Sequence, residues 1–202
     1  MGRLIYGGIG SLDGFIADVD GDFSWSAPDE QVHAYLNDRD REVAAELYGR
    51  RLYEVMKVWE TYGTEPDASS VVRDYGRLWR DRDKVVYSTT LADVDTARTR
   101  LERTFDPVQA RRLVDEAGGD VTIGGPDLAA HALRAGIVDV VEYYANPVVL
   151  GAGTPWLPAG LRLDLRLVDE HRFDCGVVHL AYEVVNRPRL SGRPSTSAGM
   201  GQ

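Results

Sequence analysis

The chain has a single cysteine, Cys175, among 202 residues, which excludes an intramolecular disulfide. Its neighbours in Phe173-Asp174-Cys175-Gly176-Val177 supply no base or positive setting of the kind that activates a thiol. Cys175 therefore reads as a small packing residue. No apolar run approaches the roughly 20 residues that a membrane-spanning helix needs. The opening residues, Met1-Gly2-Arg3-Leu4-Ile5-Tyr6-Gly7-Gly8 with Asp13, Asp18 and Asp20 soon after, lack the long apolar stretch of an export signal. A cytoplasmic protein with no membrane partner is expected. Positive charge is also scarce: 23 Lys and Arg against 32 Asp and Glu leave a net charge of −9. The basic footprint that duplex nucleic acid requires is missing, so no nucleic-acid partner is expected. The four histidines, His33, His131, His171 and His179, stand at no metal-ligand spacing and read as structural, so no metal is expected. HExxH, CxxC, nucleophile-elbow and Walker motifs are likewise missing.

What is present suits one domain over residues 1–186 with a core of its own. The segment 187–202, rich in Pro, Ser and Gly with three arginines and no acid, reads as a disordered tail. Residues 4–9 read as a short buried strand. A polar, glycine-rich stretch through residue 25 reads as a long mobile loop carrying Phe23 and Trp25. Pro28-Asp29-Glu30 opens a helix, and Val32, Leu36, Val43 and Leu47 fall on one helical stripe that Asp40 interrupts. A second helix starts at Gly49-Arg50-Arg51. Further helices are expected over 71–82, 108–117 and 126–133. Strands are expected over 85–87, 98–105, 121–123 and 138–144, and an antiparallel hairpin over 161–173 and 177–185. The order predicts an α/β fold with a mostly parallel sheet, helices on both faces and an antiparallel edge.

Three strand ends point to one ligand. At Gly124-Gly125-Pro126-Asp127-Leu128, glycines admit close backbone approach and the helix start offers free N–H groups to a phosphate. Asp127 competes with an anion there. At Gly49-Arg50-Arg51, two guanidiniums suit a phosphate monoester and, for a dinucleotide, favour NADPH over NADH. At Ser88-Thr89-Thr90, hydroxyls can bind phosphate or ribose, or simply cap a turn. Ligands of open α/β sheets sit beyond the carboxyl ends of strands, where all three motifs fall. On the substrate side, Asp13 with Phe15, Phe23 and Trp25 could recognise a nitrogen heterocycle by hydrogen bonds and stacking. Tyr53 and Trp59 are further aromatic candidates, although such residues more often serve the core.

Ser11-Leu12-Asp13-Gly14-Phe15-Ile16-Ala17, Asp22-Phe23-Ser24-Trp25, Gly49-Arg50-Arg51-Leu52-Tyr53-Glu54, Val85-Val86-Tyr87-Ser88, Ile123-Gly124-Gly125 and Pro147-Val148-Val149-Leu150-Gly151 occur in an order that resembles the dihydrofolate-reductase-like superfamily. Within it, the chain is similar to stand-alone relatives of the C-terminal reductase domain of the riboflavin-biosynthesis deaminase–reductase. The resemblance implies an eight-stranded sheet flanked by helices, and NADPH as hydride donor. By that likeness Gly49, Arg50, Arg51, Ser88, Thr89, Gly124, Gly125, Pro126, Asp127 and Leu128 would contact the cofactor, and the peptide bond between Gly124 and Gly125 would be cis. A homodimer is implied too, consistent with the long apolar segment 138–150. Leu52 departs from the Thr of many relatives. For the helix acid that anchors a pteridine, Glu30 and Asp40 are the candidates, which weakens the case for dihydrofolate itself. A riboflavin-pathway substrate would need a phosphate site that no motif supplies.

The expected activity is hydride transfer from NADPH to a pterin-like or aminopyrimidine-like heterocycle. Asp13 would orient or protonate the substrate, and Trp25 and Tyr53 would contact it. The alternative from another class is a non-catalytic NADP-binding or regulatory module, favoured by the lack of a convincing proton donor.

Overall fold

A computed structural model describes residues 2–185. The expected domain limit at 186 and the tail 187–202 lie outside the described residues. Ten strands and five helices alternate along the chain: β1 (Leu4–Ser11), β2 (Phe15–Ala17), α1 (Glu30–Asp40), β3 (Val43–Gly49), α2 (Arg50–Met56), α3 (Ser70–Asp81), β4 (Asp83–Tyr87), β5 (Thr99–Glu102), α4 (Pro107–Glu116), β6 (Asp120–Gly124), α5 (Pro126–Arg134), β7 (Val140–Asn146), β8 (Thr154–Pro155), β9 (Leu165–Arg172) and β10 (Val178–Val184). Eight strands form one sheet in the order β5-β4-β3-β6-β1-β7-β10-β9. It is parallel from β5 through β7, and the β9–β10 hairpin closes it in the antiparallel sense. The expected mixed three-layer architecture is therefore present, with the dihydrofolate-reductase-like strand count.

The two faces of the sheet differ in chemistry. Leu4, Tyr6, Ala45, Leu47, Val121, Ile123 and Val141 point to the face covered by α4 and α5, where they pack with Ala110, Val114, Leu128 and Leu133 in an apolar core. Side chains alternate along a strand, so Glu46, Tyr48, Lys84, Glu142 and Tyr144 point the other way, toward α1, α2 and α3. Their charges are satisfied beneath those helices: Arg82 pairs with Glu46, and Lys84 Nζ donates to the carbonyls of Trp79 and Arg82 at 2.8 Å each.

Four local expectations are corrected. Residues 43–47 are strand β3, not a continuation of α1. A spacing of four residues is met both by one helical turn and by two strand steps, so Val43 and Leu47 fit either pattern. The first loop is pinned in place: β1 runs on to Ser11, and β2 pairs antiparallel with β8. The peptide bond between Gly124 and Gly125 is trans; Gly125 makes the strand-to-helix reversal with φ +91°, a conformation open to glycine. The apolar run cited for a dimer is largely strand β7, enclosed between β1 and β10.

Candidate active site

Two clefts open at the carboxyl end of the parallel strands, one over each face. The first, about 290 Å³, lies over β1 and β7 and is lined by Ile9, Trp25, Ser26, Ala27, Pro28, Asp29, Val32, Asn146, Pro147, Val148, Cys175 and Val177. The second, about 300 Å³, lies over β4 and β5 against α5; its walls are Arg50, Tyr87, Ser88, Thr89, Thr90, Arg103, Phe105, Leu128 and His131. Between them run β3 and β6, ending in Gly49 and in Gly124 and Gly125. The β4-to-β1 span is three strand spacings, about 14 Å.

The second cleft unites residues from all three strand-end motifs. Arg50 stands at the first position of α2, after β3. Thr89 and Thr90 are exposed beyond β4. Leu128 arrives from the first turn of α5, whose N-cap Gly125 leaves the opening N–H groups without a side-chain acceptor. By contrast α1, α3 and α4 are capped by Asp29, Ser69 and Asp106. The flat side chains of Tyr87 and Phe105 meet edge to face at 5.2 Å.

Other predicted cofactor residues have structural partners. Ser88 Oγ accepts the N–H groups of Thr90 and Leu91 at 3.2 and 2.9 Å, which makes it a turn cap. Arg51 and Asp127 are 83 and 92% exposed and face each other at 3.9 Å, so the acid at the α5 start opposes a cation. Pro126 occupies the first position of α5. Arg103 was not anticipated; its guanidinium donates to the carbonyls of Ser88, Leu91 and Ala92 and so braces the loop after β4. His131, expected to be structural, is exposed in the same wall. Both could have been found by extending the strand-end rule to β5 and counting one turn along α5 from Leu128.

In the first cleft Trp25 forms part of the wall, with its indole N–H on Asp22 O at 3.1 Å. The charged group is Asp29, not Glu30 or Asp40. Glu30 is not part of the cleft wall, and Asp40 sits at the far end of α1 beside Arg82. Asp29 caps α1 by accepting Val32 N–H at 2.8 Å. That bond, with a further one from the Cys175 thiol, holds its carboxyl below the usual range. Cys175 is exposed at the β9–β10 turn rather than packed.

Asp13 and Tyr53 are engaged elsewhere. Asp13 accepts Ser11 Oγ–H at 2.6 Å and the N–H groups of Leu150 and Gly151 at 3.1 and 2.7 Å. These bonds, the serine hydroxyl foremost, hold its carboxyl low and tie the loop after β1 to the loop after β7. Tyr53 is 1% exposed, with its hydroxyl bonded to Asp95 and Thr96 at 2.9 and 3.1 Å. It pins the loop before β5 and presents no surface to a substrate. Among the described residues no His, Cys, Asp and Glu cluster suits a metal ion, and no helix is long and apolar enough to cross a membrane.

The chain is 27% identical over 176 residues to uncharacterized protein YyaP of Bacillus subtilis (strain 168), a match covering 85% of this chain and 89% of that one. Its fold is similar to that of a pyrimidine reductase-like protein from Corynebacterium diphtheriae, with a TM-score of 0.62 and 13% identity over 92% of each chain. It is also similar to dihydrofolate reductase from Enterococcus faecalis complexed with NADP(H), with a TM-score of 0.58 and 14% identity over 91% of this chain and 97% of that one. The RibD C-terminal domain model matches residues 4–179, so the chain belongs to the RibD C-terminal domain family and has the dihydrofolate-reductase-like fold.

Proposed function

We propose that this protein is an NADPH-dependent reductase that delivers hydride to a pterin-like or aminopyrimidine-like heterocycle bound in the first cleft. The observation that carries the reading is the meeting of Arg50, Thr89, Thr90 and Leu128 in one cleft beside the uncapped start of α5. The Arg50 guanidinium, held by Glu54 at 3.4 Å, fits phosphate oxygens there, Arg103 braces the loop that carries Thr89 and Thr90, and Tyr87, Phe105 and Leu128 fit the faces of a purine. The open N–H groups of α5 suit a diphosphate crossing the sheet edge, and Gly125 leaves that turn without a side chain. Bound NADPH supplies the hydride. The chain's own residues supply position: Trp25, Ile9, Val32 and Val148 wall the substrate ring and displace water, while ionised Asp29 accepts ring N–H groups. Asp13 acts by fastening the loop that carries the cleft wall.

Both Asp13 and Asp29 are held in the charged form, which favours solvent as the proton source. The same observation supports a second reading, a non-catalytic NADP-binding module on this fold. Titration of the purified protein with NADPH and NADH tests the cofactor site. NADPH should bind tightly and NADH much more weakly. Arg50→Ala should lower NADPH affinity roughly tenfold to a hundredfold, the worth of one charge-assisted contact, and spare NADH. Arg51→Ala should change little. Absence of binding by either nucleotide would sink the reading. NADPH binding without oxidation by any pterin or aminopyrimidine would favour the non-catalytic module.

A further inference from the structure

We infer that the first cleft selects heterocycles that carry no phosphate, and so does not serve a phosphoribosylated pyrimidine; this rests on the reductase reading above. Among the described residues, the lining includes no lysine, arginine or histidine. Their one charge is the Asp29 carboxylate, kept ionised by the Val32 N–H and the Cys175 thiol. A phosphate ester in this space would lose water, meet a like charge and find no cation to replace either. Phosphate sites in proteins are built from guanidiniums, ammonium groups and open helix starts. Here the helix start facing the cleft is closed by Asp29 itself.

Size and rim agree. About 290 Å³ stands at the lower end of ligand pockets, which run from about 300 to 1,000 Å³, and suits a one- or two-ring heterocycle. Exposed apolar side chains adjoin the wall along the chain: Leu12 at 67%, Phe23 at 47% and Val149 at 66%, alongside the exposed acids Asp22 and Asp174. Phe23 precedes the wall residue Trp25 by two positions, Val149 follows Val148, and Leu12 N–H is bonded to Val148 O at 2.8 Å. The polar contacts available inside, Asp29 and the nearly buried Asn146, suit the amino and imino edge of a pyrimidine or pterin ring.

The test uses the full chain saturated with NADPH and two matched pairs of probes: 5-amino-6-ribosylaminouracil with its 5′-phosphate, and 6-hydroxymethyl-7,8-dihydropterin with its monophosphate. Calorimetry should show the unphosphorylated member binding at least roughly tenfold more tightly in at least one pair. Asp29→Asn keeps a good helix cap and should narrow that ratio, and Ser26→Lys should narrow or reverse it; both should leave NADPH affinity unchanged. A phosphate ester that binds as tightly as its parent in both pairs would overturn the inference, as would failure of all four probes to bind. Failure of NADPH itself to bind would instead count against the reductase reading, so the two outcomes are distinguishable.

Discussion

The two clefts are nearly equal in volume and share one end of one sheet, yet they offer opposite chemistry. The second presents Arg50, Arg103, exposed hydroxyls and the open start of α5. The first presents a carboxylate among apolar walls. Part of the difference lies in one N-cap each. Gly125 leaves the positive end of the α5 dipole to a ligand, whereas Asp29 closes that of α1 with its own carboxylate. The side chain at one N-cap position thus decides whether a helix start offers open N–H groups or a carboxylate.

The largest test concerns two ion pairs that share the α1–α3 face of the sheet. Arg82 and Glu46 have side chains 3 and 4% exposed, whereas Arg39 is 30% exposed beside Glu142 and Asp169. Arg82→Ala should remove about 3–5 kcal/mol of unfolding free energy in urea, the usual cost of orphaning a buried charge. Arg39→Ala should cost clearly less, because solvent already screens its guanidinium. Equal losses would show that burial does not set the cost of breaking these pairs. A smaller change sharpens the N-cap comparison. Gly125→Asp and Gly125→Asn both place a side chain at φ +91° and ψ 122°, outside the left-handed helical region, and should each cost about 1–3 kcal/mol. The added negative charge should make NADPH binding several-fold weaker in the Asp variant than in the Asn variant, with first-cleft ligands unaffected in both. Equal NADPH affinities would mean that the α5 start does not meet phosphate.

A third test lies away from both clefts, at the far end of α1. Burial pushes the Asp40 carboxyl up to about 7, against the pull of Arg82. The folded state then keeps a proton that an unfolded aspartate, near pKa 3.9, has already lost. The resulting stabilisation is full below about pH 4 and is lost as pH rises toward 7. Tm should accordingly gain from this group as pH is lowered from 8 to 5, and Asp40→Asn should flatten that part of the profile. An unchanged profile would place the Asp40 carboxyl in its ordinary range.

Much of the fold was legible because its signals are local. Gly-Gly before Pro126 marks a strand-to-helix turn, and the hairpin strands alternate. Strand β3 was misread because four-residue spacing serves both periods. The cofactor side was legible through strand ends, since that rule depends on topology alone. Arg103 and His131 escaped because their role depends on β5 lying beside β4 and on which face α5 covers. On the substrate side, Asp29 was read as a first-turn acid and no more, while Asp13 and Tyr53 looked exposed to chemistry. Only tertiary contacts show that Asp13 is tied to the N–H groups of Leu150 and Gly151 and that Tyr53 is sealed under the 91–98 loop.

The central position of β1 has a consequence for how the chain comes to be folded. This first strand pairs with β6 and β7, which begin at Asp120 and Val140. At synthesis rates of about 5–20 residues per second, the interval before β6 emerges is roughly 6–23 s. Through that interval Leu4, Ile5 and Tyr6 have no partner strand, and the sheet cannot be nucleated from its own middle. Such long-range pairing slows folding and leaves an apolar strand open to wrong partners. Assembly of β3, β4 and β5 would therefore precede insertion of β1, and the floor of the first cleft would be the later of the two to form.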